Sequence, residues 1–167
     1  MAATATDHLR AWVMAVLVAG AAFGAMLFVG PGTTAESPAP PRNPAAAYLA
    51  IAQAGNKRLD KDFDRLRGPD RTDLPAARSD LRDIAATEHL FDERLSALTL
   101  PPGPEVSAGT VISANEARAA LTGQAADSTT PAQLAAYQLR LAAANAPVEH
   151  AVRDIRVQLH LPAPDTS

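Results

Sequence analysis

The chain has 167 residues, no cysteine, a net charge of −3 and only 4% aromatic residues, so one modest domain with a thin, alanine-rich core is expected once the first forty or so residues are set aside. The missing cysteine excludes disulfides, thiolate metal sites and a lipid-modified cysteine anchor. Arg and Lys are interleaved with Asp and Glu, which excludes nucleic acid as a partner, because phosphate binding needs clustered positive charge.

The first element is the uncharged apolar run Ala11–Val29, close to the roughly 20 residues a helix needs to cross a bilayer. Its length exceeds that of an ordinary signal h-region, and Asp7 weakens the positive n-region, so a retained membrane anchor is expected. Arg10 and the amino terminus orient the N-terminus inward, leaving the remainder extracytoplasmic. The competing reading is secretion after cleavage at Thr33-Thr34-Ala35. Gly20 and Gly24 match the GxxxG spacing that allows two membrane helices to approach closely, the candidate basis of a homodimer, although both residues are also simply common in membrane helices. Residues 30–43, with Pro31, Pro38, Pro40 and Pro41, read as a semi-extended spacer.

Beyond the spacer, prolines mark four helix starts: Pro44, Pro75, Pro104 and Pro131. Asn43, Asp73 and Thr130 precede three of them as caps, and Thr130 with Gln133 has capping-box spacing. Gly68-Pro69, Pro101-Pro102, Gly123 and Pro162 act as stops, predicting helices of about 44–67, 74–99, 104–125 and 131–161. Apolar residues recur at helical spacing, as in Leu74, Ala77, Leu81, Ile84, Phe91, Leu95 and Leu98 of the second segment, or Leu134, Tyr137, Leu141, Val148, Val152, Ile155 and Leu159 of the fourth. The third stripe, Val106, Val111, Ala114, Ala117 and Leu121, is the weakest. Short connections predict an all-α fold: an antiparallel four-helix bundle over 44–161 behind an N-terminal transmembrane helix. Pro147 predicts a kink or a break in the last helix.

Asp60, Asp62 and Asp64 imitate the start of a calcium loop, but Arg65 and Arg71 occupy the places of its glycine and glutamate. His89 and His150 directly follow Glu88 and Glu149, so no Glu-x-x-His metal pair forms. No G-x-S-x-G and no phosphate-cradling glycine loop occurs, and the residues call for no cofactor, no metal and no enzyme activity.

One constellation remains. Glu88 interrupts the second helix's apolar stripe, where a charge is costly unless paired. Arg118 falls near the apolar face of the third helix at similar height, and Asn56 and Asn145 lie at comparable heights on the first and fourth. Glu88 and Arg118 are expected to pair in a buried polar layer, with Asn56, Asn145 or both satisfying leftover bonds, the layer either setting helix register or serving as a ligand site.

The closing run Tyr137-Gln138…Ala143-Ala144-Asn145-Ala146-Pro147…Val152-Arg153-Asp154-Ile155-Arg156 resembles the ends of short helical ectodomains in actinobacterial membrane or secreted proteins of unknown function. The resemblance implies an envelope location and nothing catalytic. The expectation is therefore a non-enzymatic, membrane-anchored helical bundle with a structural or protein-interaction role in the envelope. The alternative is a secreted bundle that senses a small molecule or binds haem.

Overall fold

A computed structural model describes residues 43–164, and within them the chain is all-helical, with four α-helices and no strand. The elements are α1 (Pro44–Arg67), α2 (Leu74–Ser96), α3 (Pro102–Ala126) and α4 (Pro131–Gln158), with a 3-10 turn at Pro69–Thr72 between the first two. The apolar stretch 11–29, with Gly20 and Gly24, and the spacer up to residue 42 lie outside the described residues. Among the described residues, no helix is long and apolar enough to cross a membrane.

The helix starts follow from local chemistry. Asn43 accepts from the amides of Ala45 (3.0 Å) and Ala46 (3.4 Å), and Asp73 accepts from Ala76 (3.1 Å). These bonds satisfy donors that a first helical turn leaves without a partner. Thr130 Oγ1 accepts from Gln133 N, and Gln133 Oε1 reaches back one residue further than a capping box requires, to the amide of Thr129 at 2.8 Å. α3 begins at Pro102, two residues before the expected Pro104, with Pro101 at its N-cap. Both Pro102 and Pro104 fit within the first turn, where no N–H is needed, so the dipeptide read as a stop is instead the start. At the end of α1, Gly68 is required sterically: a Cβ there would stand 2.8 Å from the carbonyl oxygen of Asp64.

Successive helices run antiparallel. Arg65 near the end of α1 reaches Asp80 and Asp83 near the start of α2. Arg78 at the start of α2 donates to the carbonyl of Ala126 at the end of α3 (2.8 Å). Gly103 at the start of α3 lies against Gln158 at the end of α4. α1 packs on α2, α2 on α3 and α3 on α4, which places α2 and α3 centrally. Tyr48, Leu59, Leu81, Ile84, Leu95, Val111, Val148 and Ile155 are fully buried and form the spine of the core.

α4 runs unbroken through Pro147, although proline removes one backbone hydrogen bond from a helix interior. Burial holds the helix on both sides, by Leu141 before the proline and by Val148, Ala151, Val152 and Ile155 after it. Only Leu141 is buried in the half preceding Pro147, so that half is the more lightly packed. α4 ends three residues earlier than expected, in a Schellman arrangement in which Leu161 N bonds Arg156 O (2.9 Å) and His160 N bonds Val157 O (3.1 Å). His160 accordingly adopts φ 55°, the left-handed conformation that glycine takes without steric cost. Substituting His160→Gly is expected to stabilise the fold by about 1 kcal/mol, measured as a shift of the urea midpoint at unchanged slope.

Candidate functional site

At mid-height, α2 and α3 bring together the two charges that interrupt their apolar faces. Glu88 Oε1 and Arg118 Nη2 lie 3.0 Å apart, with side chains only 2% and 3% exposed. The same Nη2 donates to Asn115 Oδ1 at 2.8 Å. Asn115 Nδ2 in turn donates to both oxygens of Asp92 (3.0 Å each) and to the backbone carbonyl of Glu88 (3.2 Å). The result is a chain from Glu88 through Arg118 and Asn115 to Asp92, stitched across the α2–α3 seam. Asn115 is the hub, because an amide both accepts from the guanidinium and donates to the carboxylate.

The other two residues expected in this layer are placed differently. Asn56 is buried on α1, but its Oδ1 has no hydrogen-bond partner and it makes no bond to the ion pair. Asn145 on α4 is half-buried and lines the same small cavity as Glu88 and Arg118, again without a hydrogen bond to either. The amide that binds the pair is thus Asn115, one turn from Arg118 on the same helix, which accepts from Arg118 Nη2 without help from α1 or α4.

Three atoms of the pair remain without partners: Glu88 Oε2, Arg118 Nε and Arg118 Nη1. The cavity beside them measures about 20 Å³. All four helices wall it, with Phe63 from α1, Leu81 and Ile84 from α2, Thr122 from α3 and Leu141 from α4. Burial pushes the Glu88 carboxyl above its ordinary range, against the pull of Arg118 and His89. Burial likewise raises Asp92 to about 6; the Asn115 hydrogen bond opposes this, while Glu116 and Glu88 add to it.

A second polar cluster ties α1 to α2 near their connecting turn. Arg65 Nε bonds Asp80 Oδ1 (2.7 Å), and Nη2 bonds Asp62 (2.8 Å) and Asp83 (3.3 Å). Asp80 is raised by burial, opposed by Arg65, with Asp70 adding to the rise. Asp60, Asp62 and Asp64 lie on the continuous helix α1 rather than in a loop, and Asp62 is engaged by Arg65. Among the described residues, no group of three His, Asp or Glu side chains is placed to hold a metal ion. At the far end of the core, the buried Arg156 donates to the carbonyl of Pro162 (2.7 Å) and so fastens the segment after α4. The Tyr48 hydroxyl is pushed up to about 12 by burial, opposed by the Arg156 charge.

Sequence reasoning missed Asn115, Asp92 and Arg156. The available signal was spacing: Asp92 follows Glu88 by four residues and Arg118 follows Asn115 by three, so each helix presents a pair of polar groups on one face.

No family model, curated protein or solved structure matches this chain.

Proposed function

We propose that the chain is a non-enzymatic, single-pass envelope protein whose extracytoplasmic helical bundle presents its outer surface to a protein partner. In this reading residues 11–29 are the retained anchor and 30–43 hold the bundle off the membrane. The observation that supports it is the state of the core. The polar layer is largely closed on itself, and the space beside it is about 20 Å³, against roughly 300–1,000 Å³ for small-molecule sites. A core filled in this way is a scaffold, which leaves function to the surface. There Leu139 and Val157 on α4 are 81% and 68% exposed. They are five helical turns apart in sequence and therefore share one face of that helix. The secreted ligand-sensing or haem-binding bundle is the second reading, favoured only by the unpartnered atoms of Glu88 and Arg118.

Two measurements on the full chain test the proposal. A C-terminal alkaline phosphatase fusion is expected to be active and to fractionate with membranes. A photo-crosslinking residue at Leu139 or Val157 is expected to give one discrete adduct in native membranes that the same residue at Lys61 on α1 does not. An inactive fusion, or adducts indistinguishable among the three positions, would reject it.

A further inference from the structure

The pair at the centre of the bundle is incompletely satisfied in a specific pattern. Glu88 Oε2 is an acceptor without a donor, while Arg118 Nε and Nη1 are donors without an acceptor, all fully buried. Unmade hydrogen bonds of buried charged groups are costly, so a native core rarely leaves three of them in one place. The missing partner must accept from a guanidinium and donate to a carboxylate, which a hydroxyl group or an amide does and a chloride, a metal ion or a second carboxylate does not; the amide at the cavity, Asn145, bonds neither residue, which leaves a hydroxyl. Charge points the same way. Glu88 and Arg118 neutralise each other at 3.0 Å, so an ion entering beside them would be buried without a counter-charge. Size then selects among hydroxyl compounds. About 20 Å³ exceeds the roughly 10–15 Å³ that one water requires and falls far short of a ligand pocket.

We propose that the cavity between Glu88 and Arg118 is an internal hydration site, holding one water that accepts from Arg118 and donates to the Oε2 atom of Glu88. Phe63, Leu81, Ile84 and Leu141 form its apolar walls. Asn145 at its margin offers further hydrogen-bonding capacity, in keeping with the two to four partners typical of a buried water. The water exchanges past the lightly packed half of α4 that precedes Pro147, where Leu141 is the only buried residue. The site is independent of the envelope reading above, since it rests on the core alone.

The test uses the full ¹⁵N-labelled chain in detergent micelles. Paired NOE and ROE spectra from the water resonance to the Nε–H of Arg118 separate a bound water from proton exchange by sign. A long-lived water is expected to give a direct NOE there. The cross-peak is expected to vanish in Asn145→Leu, whose added apolar volume narrows the cavity, while the backbone fingerprint is preserved. A second arm titrates methanol and 1-propanol and follows the amides of Phe63 and Leu141. No saturable shift is expected, because an alkyl chain does not fit. Absence of the NOE in the wild-type chain overturns the proposal. So does its persistence in a folded Asn145→Leu chain, which places the water elsewhere. Saturable alcohol binding overturns the single-water assignment in favour of a larger hydroxylic ligand.

Discussion

Replacing Arg118 with methionine is expected to destabilise the helical domain by about 3–5 kcal/mol, while the double substitution Glu88→Leu/Arg118→Met is expected to recover most or all of that loss. The asymmetry follows from where the two charges sit. With both present, each is compensated at 3.0 Å in an environment that leaves them 2–3% exposed. Removing Arg118 alone leaves the Glu88 carboxylate facing Phe63, Leu81 and Ile84, and it also deprives Asn115 Oδ1 of its donor. The carboxyl then takes up a proton, so the cost of the single substitution should shrink at low pH. Removing both charges replaces an incompletely bonded pair with apolar volume in a core that already contains Leu81, Ile84 and Leu141. Urea unfolding of the three chains at pH 7 and pH 5 decides the matter. If the double variant is no more stable than Arg118→Met, the layer contributes net stability and is not merely a tolerated specificity device. Altered helix packing or oligomeric state in a stable double variant would identify it as the element that sets register.

Three of the four helix starts were legible because each depends on a few adjacent residues, a capping side chain and a proline in the first turn, as at Asn43-Pro44 and Thr130-Pro131, whereas the start of α3 has no capping side chain to mark it. Glu88 was legible for the same local reason, a single charge inside a run of apolar residues at helical spacing. Asp92 and Asn115 were not, because periodicity locates one apolar stripe per helix and cannot show how wide an arc the neighbours cover. α2 lies between α1 and α3 and buries ten residues, including Asp80, Thr87, Glu88 and Asp92, well beyond the stripe that its leucines outline. α3 is harder still. Its buried face is built from Ala108, Val111, Asn115, Arg118, Ala119 and Thr122, where small and polar residues replace the large apolar side chains that signal burial in a sequence. Asn56 and Asn145 make no bond to the pair because equal height on two helices does not bring side chains within bonding distance. A bond at about 3 Å depends on interaxial distance and helix rotation, which no single stripe encodes.

Asp92→Asn is expected to stabilise the domain at pH 7.5 and to flatten its stability between pH 4 and pH 7. Burial raises the Asp92 carboxyl to about 6 from an ordinary value of 3.8, against the hydrogen bond from Asn115. Between these values the folded chain holds a proton that the unfolded chain has released, so unfolding becomes easier as pH rises through this window. The contribution of Asp92 is therefore fully present below about pH 4 and lost above about pH 6. A rise of about two pH units corresponds to at most roughly 3 kcal/mol, less whatever partial solvent screening removes. Among the neighbouring charges, Glu116 and Glu88 add to the rise caused by burial and His89 opposes it, while Arg118 is already committed to Glu88 and Asn115. An amide at position 92 stays neutral throughout and still offers an oxygen to Asn115 Nδ2, so the bond across the α2–α3 seam survives while the cost of ionisation disappears. The quantity to measure is the difference in unfolding free energy between the variant and the native chain, from pH 4 to pH 8. It should be near zero or slightly unfavourable at pH 4 and favour the variant by pH 7.5. A difference independent of pH would mean that Asp92 is ionised in the fold across the whole range. The polar layer would then carry two buried carboxylates on one guanidinium, and the Arg118→Met loss at pH 7 would exceed the range given above.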